Sequence, residues 1–147
     1  MTQNITLKSA LKSAAAIGLL TLAHAASAQV AVIVNPKSAI ANLSPEQVSS
    51  IFLGKSNTLP SGAAAAPVDL PDGSPVHEQF YSKATGKTSA QVKATWARLT
   101  FSGKATPPKE MGSSADVKKF VASNPDAIGY IEKSAVDGTV KAVLTID

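Results

Sequence analysis

The sequence predicts one α/β domain, a small mixed sheet flanked by about four helices. Three observations predict it. A continuous apolar run, VAVIV, fills positions 30–34. Amphipathic segments then follow one another, each opening on a Ser or Thr suited to capping a helix. The chain closes on two β-rich segments joined through the turn signal Asp137-Gly138. At 147 residues there is room for one real core but not for two full lobes.

The elements can be justified in order. Val30 to Val34, ended by Asn35-Pro36, reads as a strand buried on both faces. Ser44, Pro45 and Gln47 form a capping box with proline at the first helical position. Leu43 and Val48 are placed as a hydrophobic staple, Val48, Ile51 and Phe52 as the buried stripe, and Gly54 as the stop. Ser56 to Ala64 is loop by composition, and Ala66 to Leu70 a second strand. Ser74 is placed to cap a helix with Val76, Phe80, Tyr81 and Ala84 inward, ended by Gly86. Thr88 and Gln91 make another capping box, with Val92, Trp96 and Leu99 inward. Phe101 to Pro108 reads as loop. Ser113 or Ser114 opens the last helix, with Val117, Phe120 and Val121 inward. Ala127 to Ile131 is a strand, and Val140, Ala142, Leu144 and Ile146 alternate inward along the final one. Trp96, Phe101, Phe120 and Tyr130 are all expected in the core.

Residues 1–28 read as a secretory signal peptide. Lys8 and Lys12 lead, an apolar run from Ala14 to Ala23 follows, and Ala26-Ser27-Ala28 offers an A-x-A cleavage site. The run is too short for a membrane anchor, and no cysteine is present for lipid attachment. The expected product is a single exported, periplasmic domain over 29–147. Without Lys8 and Lys12 it carries 12 basic against 10 acidic side chains, a net charge of +2. That balance permits a small anion but is no nucleic-acid footprint. Zero cysteines exclude disulfides, zinc fingers, iron–sulfur clusters and a catalytic thiol. His77 is then the one remaining histidine, with no carboxylate pair at ligand spacing, so neither a metal nor a cofactor is expected.

Chemistry concentrates in Val68-Asp69-Leu70-Pro71-Asp72-Gly73-Ser74-Pro75-Val76-His77. A strand runs through a Gly-Ser turn directly into a helix. Such a turn aims backbone N–H groups and the positive end of a helix dipole at one place, where a hydroxyl can join them around an anion. Ser74 acting only as a cap is the competing reading. His77 is expected as a solvated residue on the helix face. Ser74, His77 and Asp72 use the vocabulary of a hydrolase, but residues on one turn rarely reach nucleophile–base–orienter geometry, so no enzyme is expected. Gly86-Lys87-Thr88 mimics the end of a P-loop, yet Tyr81 occupies the position of its first glycine.

Three blocks, VAVIVNPKSAIANLSPEQVSSIFLGK, PVDLPDGSPVHEQFY and AIGYIEKSAVDGTVKAV, resemble the phosphate-binding proteins of bacterial ABC transporters. The resemblance covers nearly all of 29–147 and matches only the second of that family's two lobes. It implies a lobe of the type II periplasmic-binding-protein class and an anion site at Asp72, Gly73, Ser74, Val76 and His77. It further implies a link to phosphate transport or its sensing, through a permease or a sensor protein.

The loop departs from the family pattern. Pro75 and Val76 stand where the family has Gly and Thr, and Leu70 where it has a phosphate-pairing Arg. These changes remove a backbone donor, a hydroxyl and a bidentate cation. A weak site for phosphate or a similar anion is therefore expected, with homodimerisation as one way to enclose it. The alternative is a periplasmic scaffold for protein–protein contact that binds no anion.

Overall fold

The computed structural model describes residues 29–147; the expected signal peptide lies outside the described residues. Five strands form one mixed sheet in the order β3-β2-β4-β1-β5. They are β1 (Val30–Val34), β2 (Ala66–Asp69), β3 (Lys109–Glu110), β4 (Ala127–Glu132) and β5 (Lys141–Ile146). β1 runs antiparallel to both β4 and β5, while β2 runs parallel to β4 and β3. The helices are α1 (Pro45–Phe52), α2 (Pro75–Thr85), α3 (Ser89–Phe101) and α4 (Ser114–Ser123). This is the α/β lobe that the sequence predicts. Among the described residues no helix is long and apolar enough to cross a membrane.

Local chemistry explains the helix starts. Ser44 and Thr88 each complete a reciprocal capping box, with Gln47 and Gln91 respectively. Ser113 rather than Ser114 caps α4, accepting from the Asp116 amide. Asn35 does more than end β1. It is buried, donates from Nδ2 to the carbonyls of Val121 and Ala122 at 3.0 Å each, and accepts from the Lys37 amide at 2.9 Å. The first strand is thereby tied to the end of the last helix.

The core is built on rings. Phe80 stacks on Tyr130 with centroids 3.9 Å apart, and Phe52 meets Phe80 edge-on at 4.9 Å. The Trp96 indole donates to the Phe52 carbonyl at 2.9 Å, pinning α3 to the end of α1. Gly54, at φ +74°, lets this contact form, since a Cβ there would come within 2.9 Å of the Trp96 ring and 2.7 Å of Leu99.

Two expectations need correction, and one element was not foreseen. Phe101, placed in the core by its apolar character, is 96% exposed. It is the last residue of α3, beyond the turn on which Val92 and Trp96 point inward. The alternation along β5 fails too: Val143 and Ile146 are buried, Leu144 is half-buried and Ala142 is exposed. The cause is a bulge. Val32 faces Leu144 but Ile33 faces Ala142, so Val143 lies between the two pairs and its carbonyl accepts from the Leu43 amide at 3.0 Å. Finally, the short strand β3 follows directly on the Phe101–Pro108 segment; two residues are too few for any hydrophobic period to reveal.

The Asp137 turn supplies a pH-dependent element. Its carboxylate accepts from the Thr139 amide and hydroxyl and from Lys118 Nζ at 2.9 Å. The Thr139 hydroxyl first, then Lys118, holds the carboxyl well below its usual value of 3.8. A depressed folded-state value gives stability that is present above pH 3.8 and lost as the pH falls through the lower folded value. Asp137→Asn is therefore expected to lower the urea midpoint at pH 7, with the difference from the parent shrinking below pH 4, roughly where the unfolded carboxylate also protonates.

Candidate anion-binding site

β2 delivers the chain to the turn. After Asp69, Leu70 is buried, Pro71 is half-buried, and Asp72 and Gly73 are exposed. The Ser74 amide donates back to the Pro71 carbonyl at 2.9 Å, closing the turn, and Pro75 opens α2. The first helical bond runs from the Glu78 amide to the Ser74 carbonyl. The amides of Val76 and His77 are consequently two of the orphan donors at the helix start. Unlike Ser44, Thr88 and Ser113, the Ser74 side chain makes no capping bond. The hydroxyl and the two amides are thus brought to the same helix end without being consumed there.

Three side chains of the expected set go elsewhere. The His77 ring is not a solvated face residue: His77 is 5% exposed. Its Nδ1 lies 3.1 Å from Ser89 Oγ, its Nε2 lies 3.8 Å from Asp69 Oδ1, and its ring packs on Tyr81 at 4.6 Å. The helix turns this third residue toward the sheet, so only its backbone N–H is left at the helix end. Asp72 is exposed and lies 4.0 Å from Lys93 Nζ. The Val76 side chain is half-buried against the core. Ser74, His77 and Asp72 therefore do not form a nucleophile–base–orienter relay, because the imidazole pairs with Ser89 and Asp69 instead.

Sequence reasoning missed Asp69. Its carboxylate accepts from the Tyr81 hydroxyl at 2.6 Å, from the Tyr130 hydroxyl, and from the Leu70 amide at 2.9 Å. Burial first, then the Asp69 charge and its hydrogen bonds, push both phenols far above their usual value of 10.0. The only sequence signal is an aspartate ending an otherwise apolar strand; its partners lie 12 and 61 residues further on. Asp69 and His77 form part of a cavity of about 380 Å³ with Asp72, Lys93, Trp96 and Glu110. Three carboxylates face it against one lysine. Gly73 and Ser74 do not line it.

The five-stranded mixed sheet with its four flanking helices matches one lobe of the periplasmic-binding-protein class. Solved structures place it more closely. The chain is similar to a phosphate ABC transporter substrate-binding protein with bound phosphate from Clostridium perfringens, at 25% identity and a TM-score of 0.63. It is also similar to an ABC-type phosphate transport receptor from Vibrio cholerae, at 24% identity and a TM-score of 0.63. PstS from Borrelia burgdorferi shares the fold at 16% identity and a TM-score of 0.59. Each comparison covers 79% of this chain but only 45%, 46% and 47% of the other protein, respectively, so the chain spans about half their length. No family model matches the sequence, and no curated protein matches it.

Proposed function

We propose that the protein is an exported, non-catalytic solute-binding domain that holds phosphate or a similar small anion weakly at the start of α2, in association with phosphate transport or its sensing. The observation that carries this reading is the unused Ser74 hydroxyl beside the orphan amides of Val76 and His77. Three neutral donors at the positive end of a helix suit a tetrahedral oxyanion. The likeness to a protein crystallised with phosphate supports the choice of ligand. Weakness follows from Leu70, Pro75 and Val76, which supply no cation, no amide hydrogen and no hydroxyl. Residues 1–28 would direct export, with cleavage after Ala28. A permease, a sensor or a second copy of the chain would cover the open lobe; light scattering across a concentration series checks for the dimer.

Isothermal titration of phosphate, with sulfate as the comparison, tests the site. Saturable heat in the millimolar range is expected, and Ser74→Ala should weaken binding by about tenfold, the equivalent of one hydrogen bond to a charged group. Asp72→Asn should leave affinity unchanged or improve it, since that carboxylate lies next to the turn. A second reading, a protein-contact scaffold without an anion, is favoured by the three carboxylates in the neighbouring cavity. It predicts no phosphate heat in the parent.

A further inference from the structure

Charge is not spread evenly along the domain. Residues 79–109 hold six basic side chains and no acidic one, against six basic and ten acidic in the rest of 29–147. α3 lies within this block. It buries Val92 and Trp96 against the core, while the residues at helical spacing on its other side, Ala90, Ala94, Ala97 and Phe101, are all exposed. Phe101 is the one large apolar side chain among the described residues that the fold leaves in water. It sits on a fixed turn rather than a loose end. The amides of Ser102, Gly103 and Lys104 donate to the carbonyls of Arg98, Thr100 and Leu99, each at 3.1 Å, and Gly103 turns the chain at φ +69°. Arg98 and Lys104, three residues to either side of the ring, are exposed and pair with no carboxylate among the described residues.

We propose that the outward face of α3 docks on an anionic lipid surface, with Phe101 entering the headgroup region and Arg98 and Lys104 meeting lipid phosphates. Charge complementarity points to the partner. A long block without a carboxylate suits a polyanionic surface, which would repel each acid placed there. The shape favours lipid over protein. A protein partner is held through a fitted pocket and side-chain hydrogen bonds, and three alanines offer neither. A fluid surface needs no register and asks only for an apolar tip between cations. Arg98 and Lys104 also offset the negative end of the helix dipole, but that leaves the exposed ring without a role. Two cations of the block are engaged elsewhere: Lys93 lies 4.0 Å from Asp72, and Lys109 covers the Phe120 ring.

The test is vesicle flotation of the chain from Gln29 onward, which carries the whole described fold and omits the apolar run at 14–23. Vesicles of phosphatidylglycerol mixed with phosphatidylcholine are compared with phosphatidylcholine alone. Binding is expected on the anionic vesicles only, with release at about 1 M salt, where the screening length falls to about 3 Å. Phe101→Ser should weaken binding by about tenfold with Tm unchanged. Arg98→Gln and Lys104→Gln should cost about fivefold each. Lys119→Gln, which removes an exposed cation on α4, should cost much less, and Ser74→Ala nothing. Four results overturn the proposal: no flotation with anionic vesicles, parent affinity in Phe101→Ser, an equal loss in Lys119→Gln, or loss in Ser74→Ala. The last would assign the headgroup to the α2 turn. Self-association that Phe101→Ser abolishes, in a protein that ignores vesicles, would overturn it too and give the face to a second copy of the chain.

Discussion

Asp69→Ala is expected to be among the most destabilising single substitutions in the domain, at about 3–5 kcal/mol in urea denaturation. The carboxylate is the acceptor for two buried phenols, and removing it leaves both hydroxyls without their acceptor; each buried unsatisfied group costs about 1–3 kcal/mol. Asp69→Asn keeps one acceptor oxygen and should recover part of the loss. Asp72→Ala, three residues on and exposed, should stay within about 0.5 kcal/mol of the parent. These are the chain's only two tyrosines, so their titration reads the same cluster directly. Both phenols are raised by burial first and by Asp69 second. The stability they contribute is fully present below pH 10.0, the unfolded phenol value, and is lost as the pH rises above it. Phenolate absorbance should therefore stay low past pH 10.0 and rise only with unfolding. Phenols that titrate normally in the folded protein would contradict the buried cluster.

The location of Asp69 matters beyond stability. It fastens the end of β2 to α2 through Tyr81 and to β4 through Tyr130. Those bonds set where the chain leaves the sheet, and hence where Gly73 and Ser74 present the start of α2. Asp69 is thus a positioning residue for the proposed site: it would touch no ligand itself but fixes the turn proposed to hold one.

The contrast between Asp69 and Ser74 shows what was legible beforehand. The place of Ser74 at the start of α2 could be read because it depends on neighbours in sequence: a strand, a Gly-Ser turn and a proline at the first helical position. The capping boxes at Ser44 and Thr88 were readable for the same reason. Asp69, the inward turn of His77 and the bulge at Val143 depend on partners that only the fold assembles. His77 illustrates the limit well. Its place at the helix start was correct, yet the direction of its ring follows from Ser89 and Asp69, which no local pattern couples to it. Phe101 failed in the reverse sense, since an apolar letter at the end of a helix need not face the core.

Gly129→Ala is expected to lower stability by about 2–3 kcal/mol, a fall of roughly 10 °C in Tm for a domain of this size. Gly129 lies in β4 opposite Ile33, beneath α4. A Cβ there would sit 2.7 Å from Val117 Cγ1 and 2.9 Å from Val68 Cγ2, distances that real Cβ atoms essentially never show, with Val121 Cγ2 at 3.4 Å. Val117, Val68 and Val121 are all buried and β-branched, so none can rotate aside freely. Either α4 must lift from the sheet or β2 must shift within it. Pairing the change with Val117→Ala opens space on the helix side. The double variant should be more stable than the sum of the two single losses predicts, and strict additivity would refute the steric account. The functional consequence then separates the two responses. Lifting of α4 leaves the β2–α2 turn in place and phosphate titration unchanged. A shift of β2, which carries Val68 immediately before Asp69, displaces the turn and weakens phosphate binding along with stability. Measuring both in the same variant shows how far the small glycine in β4 governs the geometry at the start of α2.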